Sequence, residues 1–150
     1  MNALTIALLV VGLIVVILAI VFGTLRVVVG KVRKASAEKI SARFSPEEVV
    51  RSDAMANFFG LESKGAAQIR GNGALALTPT VLWFSRAGSS EPLEIPVTAI
   101  RKVDLVSAHL GNSVGRKLLH VTFETEKGPD SAAWWTKDVE GWKEILRSSR

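Results

Sequence analysis

Residues 6–22 read IALLVVGLIVVILAIVF, an unbroken apolar stretch around which the rest of the chain is arranged. No ionisable side chain precedes Arg26. About 20 apolar residues in a helix match the roughly 30 Å hydrocarbon core of a bilayer, because an α-helix rises about 1.5 Å per residue. In lipid the backbone must satisfy its own hydrogen bonds, so the stretch is predicted to be helical. We therefore assign residues 1–29 to a transmembrane helix.

A basic cluster follows the apolar stretch directly. Residues 26–43 hold six basic side chains against Glu38 alone, namely Arg26, Lys31, Arg33, Lys34, Lys39 and Arg43. From residue 44 onward, thirteen basic residues balance thirteen acidic ones. A nucleic-acid-binding module normally carries its positive charge on the folded domain, so we expect no nucleic-acid partner. The positive-inside rule predicts a protein of the cell membrane with its N-terminus outside and its C-terminal domain in the cytoplasm.

A cleaved signal peptide is the alternative interpretation of the N-terminus. Such a peptide has a positive n-region, an apolar region of about 7–15 residues and a small-x-small cleavage site. Here no Lys or Arg precedes the apolar stretch, the stretch is longer, and the small triplet Ala35-Ser36-Ala37 comes only after several basic residues. An uncleaved single-pass anchor is therefore expected, whereas cleavage would give an exported domain.

Residues 30–57 are predicted to be a basic juxtamembrane connector with helical segments. Residues 34–43 are rich in Ala, Lys and Glu, so the membrane helix is expected to continue through them. Ser45, Pro46 and Glu48 have the spacing of a capping box with proline at the first helical position. This pattern predicts a short helix that ends near Asp53 or Met55.

From residue 58 the sequence changes to short runs of β-forming residues that are separated by Gly, Pro and Ser. Seven strands are predicted, at residues 65–70, 74–78, 81–85, 93–95, 100–107, 118–125 and 131–135. The imperfect alternation of the fifth strand indicates a β-bulge. Asp138 then caps a helix in which Val139, Trp142, Ile145 and Leu146 share one face. Residues 58–150 are thus predicted to form one domain of about seven antiparallel strands closed by a C-terminal helix.

Residues 70–84 (RGNGALALTPTVLWF) resemble the G-x-L-x-L-T-x-x-x-L-x-F hairpin of GRAM domains and of bacterial pleckstrin-homology-like (PH-like) domains. Residues 93–103 are similar to the I-P-h-x-x-I-x-x-V segment of those domains, where h is apolar. Trp142 stands where they often carry a tryptophan in the closing helix. The resemblance covers about residues 58–149. It implies a PH-like β-barrel or roll that works at membranes through lipid or protein contacts.

The basic residues of this domain are the candidate contacts for a lipid or a partner. Residues 111–117 (GNSVGRK) differ from a phosphate-binding P-loop, because only three residues separate the glycines and a strand follows. Arg116 and Lys117 are instead candidates for contact with headgroups or an acidic partner, as are Lys64 and Arg70. Lipid-binding PH domains place several basic residues around the first hairpin loop, and this sequence offers only Arg70 and Lys64 there.

No residue pattern predicts catalysis. There are no cysteines, and the two histidines, His109 and His120, have neither a nucleophile pattern nor metal-ligand spacing around them. His120 is predicted to be exposed, since it lies opposite Leu119 and Val121 on its strand. We therefore expect no enzyme, no catalytic residues, and neither a cofactor nor a metal site.

These observations predict a non-catalytic single-pass membrane protein that presents a cytoplasmic PH-like binding domain. The expected role is that of an adaptor for a protein partner, because a domain already fixed to the bilayer does not need lipid affinity for recruitment. Two alternatives stay open. One is recognition of anionic lipid headgroups through the basic loops, and the other is a structural subunit of a membrane complex.

Overall fold

The computed structural model describes residues 2–150, in which a long helix leads into a seven-stranded antiparallel sheet and a second helix. The elements are α1 (Ala3–Arg43), β1 (Arg51–Leu61), β2 (Gly71–Leu77), β3 (Val81–Arg86), β4 (Leu93–Pro96), β5 (Ile100–Val106), β6 (Leu118–Thr125), β7 (Gly128–Trp135) and α2 (Val139–Ser148). The strand order is β4-β3-β2-β1-β7-β6-β5, so the sheet is open and its edges are β4 and β5.

Helix α1 continues well past the apolar stretch, as the composition of residues 34–43 predicts. By length and composition it is able to cross a membrane. The large apolar residues that it carries up to Val29 are all exposed. The chain divides into two compact units, one ending at Lys34 and the other spanning Ala35–Arg150. The last turns of α1 therefore belong to the same unit as the sheet.

The main core lies between the sheet and α2. Trp142 and Leu146 of α2 are fully buried there with Trp134 of β7 and Leu75 of β2. α2 begins where the sequence predicts, because the Asp138 side chain accepts a hydrogen bond from the backbone N–H of Gly141 at 3.0 Å. The core face of α2 thus closes one side of the sheet.

The prediction of a short helix from Ser45 to about Asp53 or Met55 is wrong. Glu48 Oε2 does accept from the Ser45 N–H at 2.8 Å, yet the result is a turn and not a helix. The Val50 N–H donates to the Leu77 carbonyl at 2.8 Å, and β1 follows at once. β1 pairs with both β2 and β7. Its central pairing and the burial of its aromatic residues override the local capping signal.

The strand predicted at residues 65–70 is also wrong. This segment is the connection between β1 and β2, and Gly65 has a φ of +63°. The Gln68 side chain bonds back to the backbone of Leu61, which folds the segment over the end of β1. The domain therefore has seven strands, as expected, but the first of them is β1. The bulge predicted in β5 is confirmed by the register shift between Ile100 and Lys102.

Candidate functional site

A cleft of about 350 Å³ opens between the β1–β2 connection and the β3–β4 connection. We call it the loop cleft. Its floor is apolar and consists of Phe58, Leu61, Phe84 and Leu93, and its rim carries Lys64, Ile69, Arg86, Ser89 and Glu91. The rings of Phe58 and Phe84 pack with centroids 4.9 Å apart. Ile69 is 72% exposed, so an apolar side chain stands in solvent beside an apolar floor.

The β1–β2 wall of the loop cleft is held by side chains of its own segment. Gln68 Oε1 accepts from the Leu61 N–H, and Gln68 Nε2 donates to the Leu61 carbonyl, both at 2.7 Å. Arg70 Nε donates to the Phe59 carbonyl at 2.8 Å. Gly60 has a φ of +110°, and a Cβ there would collide with the Gln68 amide. Gln68 therefore fits against the β1 backbone only because residue 60 is glycine.

The β3–β4 wall is a tight turn that contacts α1. The Ser89 N–H donates to the Arg86 carbonyl at 3.1 Å, and Gly88 between them has a φ of +74°. Lys39 Nζ lies 3.1 Å from Ser85 Oγ, 3.2 Å from the Arg86 carbonyl and 3.0 Å from the Ser89 carbonyl. Lys39 lies in residues 30–57, which the sequence assigns to the connector. This part of the connector therefore contacts the wall of the loop cleft.

Residues 35–44, which we call the docked segment, pack on the outer face of β2 and β3. Ile40 and Phe44 are 8% and 6% exposed and form a second apolar cluster with Ala74, Ala76 and Trp83. The two alanines leave room for a helix against the sheet. Trp83 contacts the docked segment, whereas Phe84, the next residue of β3, lies in the main core.

The four basic residues proposed as contacts lie in different surroundings. Lys64 is on the rim of the loop cleft, while Arg70 bonds to the backbone of β1. Lys117 Nζ donates to Ser107 Oγ at 3.2 Å. The Arg116 guanidinium lies 5.7 Å from the ring centroid of Trp135. Only Lys64 of this set therefore belongs to the loop cleft.

The two histidines contact one another on the opposite face of the sheet from the main core. Their ring centroids are 5.3 Å apart, and His109 Nε2 lies 3.1 Å from the Gly60 carbonyl. His109 is 7% exposed and His120 is half-buried, so His120 is less exposed than the sequence predicts. His109, which lies in the 107–117 loop, packs against the His120 ring and partly covers it. Burial lowers the pKa of both imidazoles, because it penalises the charged form.

The edge of β5 is covered by arginines. Arg147 Nε donates to the Val103 carbonyl at 3.2 Å, and Arg150 Nη1 donates to the Arg101 carbonyl at 2.6 Å. At the other edge, Pro96 ends the four-residue strand β4. Short edges and edges whose carbonyls are already bonded are poor templates for an added strand.

Within residues 2–150 no group of three or more His, Cys, Asp or Glu is placed to hold a metal ion.

Sequence reasoning missed the floor and both walls of the loop cleft. Phe58 and Leu61 were assigned to no strand, and Gln68 was assigned to the strand predicted at residues 65–70, since β1 itself was not predicted. The adjacent pair Phe58-Phe59 before Gly60 was the available signal, because two aromatic residues followed by a glycine are typical of a strand that ends in a bulge. No sequence signal connects Lys39 to residues 86 and 89.

No protein-family model matches the chain, and no curated protein matches it. The solved structures that match this chain include two of low sequence identity. One is a chain of "The 8S snRNP Assembly Intermediate", with a TM-score of 0.55 and 10% identity, covering 68% of this chain and 81% of that chain. Another is "Crystal structure of the C-terminal domain of an unknown protein from Leishmania infantum", with a TM-score of 0.47 and 14% identity, covering 67% and 82% of the two chains. The first similarity shows a shared fold alone.

Proposed function

We propose that this chain is a non-catalytic, single-pass membrane protein whose sheet domain binds a protein partner through the loop cleft. In this proposal α1 crosses the cell membrane with its N-terminus outside, and the domain lies in the cytoplasm. The length and apolar composition of α1 support the anchor. The six basic residues of positions 26–43 support the orientation.

The observation that carries the proposal is the apolar floor of the loop cleft. A cavity of about 350 Å³ is at the lower end of the range for ligand pockets, which suits one or two bulky side chains of a protein segment. Phe58 and Leu93 on the floor and Ile69 on the rim offer apolar contact. Lys64 and Arg86 on the rim against Glu91 alone favour a partner segment that places a carboxylate beside its apolar side chain.

We further propose that the domain is a PH-like barrel. The edge strands β4 and β5 are consecutive in the chain and are joined only by the turn Val97–Ala99. A short connection between the two edges is what a sheet that curls toward closure requires. The aromatic residue Trp142 on α2 is buried against the sheet, in the position that the resemblance to PH-like domains assigns to it.

Recognition of anionic lipid headgroups is the second candidate. Val114 is 46% exposed and lies two residues before Arg116 in the 107–117 loop. An exposed apolar residue beside two basic ones suits contact with a membrane surface. We rank it second because Arg116, Lys117, Lys64 and Arg70 contact different parts of the domain and do not line one pocket.

A photo-cross-linking amino acid at Ile69 tests the proposal in membranes that contain the full chain. We expect a protein adduct of discrete size that is lost when Leu93 on the cleft floor is changed to Asp. The matched control carries the same cross-linker at Val50, which is exposed but lies outside the loop cleft. Adducts with lipid alone from Ile69, or equal protein adducts from both positions, would overturn the proposal in favour of lipid contact or non-specific proximity.

Orientation is tested separately by single-cysteine labelling. Because the chain has no cysteine, one introduced at Lys127 or at Asn2 is the sole reactive thiol. A membrane-impermeant maleimide should label the cysteine at position 2 in intact cells and the cysteine at position 127 only after permeabilisation. The reverse pattern would place the domain outside the cell.

A further inference from the structure

We infer that Lys39, near the C-terminal end of α1, fixes the β3–β4 wall of the loop cleft and is a positioning residue of the binding site. The inference rests on the proposed function for its biological meaning, because it assigns a role to a residue that supports the proposed cleft. The effect of Lys39 on the shape of the loop cleft does not depend on what binds there. It makes the docked segment a part of the binding site instead of a connector.

The Lys39 ammonium has three donors, and all three have an acceptor. They are Ser85 Oγ at 3.1 Å, the Arg86 carbonyl at 3.2 Å and the Ser89 carbonyl at 3.0 Å. All three acceptors are neutral oxygens, and no ion pair of Lys39 occurs in the described chain. A half-buried charge is costly unless it is hydrogen-bonded. The ammonium and these oxygens therefore hold each other in place.

Two of the three acceptors lie at the ends of the turn that forms the cleft wall. The carbonyls of Arg86 and Ser89 enclose this turn, and the side chains of the same two residues lie on the cleft rim. The Ala87 N–H donates to the Asn72 carbonyl, which holds the start of the turn to β2. Apart from the Ser89 N–H bond to Arg86 at the start of the same turn, only the bond from Lys39 joins residues 88–92 to another part of the domain among the hydrogen bonds of residues 2–150. Lys39 therefore supplies the hydrogen bond that ties the far half of the wall to the docked segment.

Lys39 itself is rooted in a packed segment. Its neighbours Ile40 and Ser36 are 8% and 2% exposed, and Phe44 packs edge-on against Trp83 on β3. A lysine on a freely moving helix end would lose most of its effect to side-chain and backbone entropy. Here the backbone is fixed, so the ammonium is presented to the turn at a defined position.

The opposite wall is independent of Lys39. Gln68 and Arg70 bond to the backbone of β1, and neither contacts the docked segment. Loss of the Lys39 ammonium should therefore loosen one wall and leave the other unchanged. This asymmetry separates a positioning role from a general loss of stability.

Spin labels across the loop cleft test this in the full chain in lipid nanodiscs. Because the chain lacks cysteine, Lys64→Cys and Glu91→Cys place one label on each wall. In this background we expect a single narrow distance distribution, a broad one for Lys39→Met, and partial recovery of the narrow one for Lys39→Arg. The control Lys31→Met removes an exposed lysine from the same helix and should leave the distribution narrow. Equal distributions for Lys39→Met and Lys31→Met would overturn the inference.

Amide hydrogen exchange gives a second readout that needs no labels. In Lys39→Met we expect the amides of residues 88–91 to exchange about tenfold faster, which corresponds to about 1.4 kcal/mol, while residues 62–68 keep their rates. Equal acceleration of both walls would indicate general destabilisation and would contradict a positioning role. Neither measurement involves a partner. A failed cross-link from Ile69 would therefore refute the proposed function and leave the role of Lys39 intact, and the converse also holds.

Discussion

The rings of Phe44 and Trp83 form an edge-to-face pair, with centroids 5.7 Å apart and ring planes at 89°. Phe44 follows the last residue of α1, and Trp83 lies in the middle of β3. The outer face of β2 and β3 is therefore covered by the chain's own docked segment. That face is closed to other proteins, and the loop cleft beside it stays accessible.

Removal of the Phe44 ring should destabilise the domain. Phe44 is 6% exposed, so Phe44→Ala leaves a cavity against Trp83. We expect the free energy of unfolding to fall by about 3 kcal/mol, the usual cost of truncating a buried phenylalanine. Chemical denaturation followed by tryptophan fluorescence measures it. Val50→Ala, at a residue 46% exposed, serves as control and should change stability by less than about 0.5 kcal/mol. Similar losses in both variants would show that the docked segment contributes little.

Whether a soluble fragment of this chain is monomeric should depend on the residue at which the fragment begins. A fragment of residues 35–150 keeps Ile40 and Phe44 on the sheet, whereas a fragment of residues 51–150 exposes Ala74, Ala76 and Trp83 together. An apolar patch of this kind promotes association. We expect the longer fragment to be monomeric by light scattering and the shorter one to aggregate or to bind an apolar dye. Equal solubility of both fragments would contradict the packing described for the docked segment.

Gly73 is the position on β2 where a side chain is least tolerated. A Cβ there would overlap the Ser85 carbonyl oxygen and would lie 2.7 Å from Arg86 Cα and 2.8 Å from Phe84 Cζ. Overpacking typically costs about 1–3 kcal/mol, and here it also displaces the start of the β3–β4 wall. Gly73→Ala should therefore lower the melting temperature and weaken cross-linking from Ile69. Gly30→Ala, where no atom lies within 4 Å of the added Cβ, should do neither.

Stability should fall as the pH drops through the range in which histidine titrates. Burial lowers the pKa of His109 and of His120 from the ordinary value of 6.5, and the proximity of His109 lowers the pKa of His120 further. The groups that act on the pair are Glu62, Asp130 and Asp104, which favour the charged form, and Arg70 and Lys102, which oppose it.

Since the folded-state pKa lies below the unfolded one, the unfolded chain binds more protons. The contribution of the two histidines to the free energy of unfolding is therefore complete above about pH 6.5 and is lost progressively below it. Denaturation midpoints between pH 7.5 and 5 should decrease for the parent chain and stay nearly level for His109→Gln/His120→Gln. Titration of Asp104 and Asp138, whose pKa values are lowered by the side chains of Lys102 and Arg51, affects stability only below their ordinary value near 3.8. A parallel decrease in both proteins would assign the effect to other groups.

The parts of the fold that depend on local patterns were predictable. The apolar composition of residues 6–22, the cap at Asp138 and the alternation of Leu119, Val121 and Phe123 each follow from neighbouring residues, and the structure agrees. β1 was not predictable in this way. Its residues before Phe58 lack alternation, and they form a strand because β2 and β7 pair with them on both sides.

The candidate site depends even more on contacts between distant residues. Charge and loop composition predicted Arg116 and Lys117 as contacts. The loop cleft, in contrast, forms where Phe58, Phe84 and Leu93 of three different strands meet. Lys39 and Ser89 are 50 positions apart. Their contact depends on how residues 35–44 pack against β2 and β3, which no local pattern encodes.

The most direct test of the central claim compares two variants in the cross-linking experiment from Ile69 in membranes. Leu93→Asp changes the floor of the loop cleft, and Arg116→Ala/Lys117→Ala removes the basic pair of the 107–117 loop. If a protein partner binds in the loop cleft, the protein adduct is lost in Leu93→Asp and persists in Arg116→Ala/Lys117→Ala, with melting temperatures confirming that both variants fold. An adduct that persists in Leu93→Asp and is lost with the basic pair would contradict the account and place binding at the basic loop.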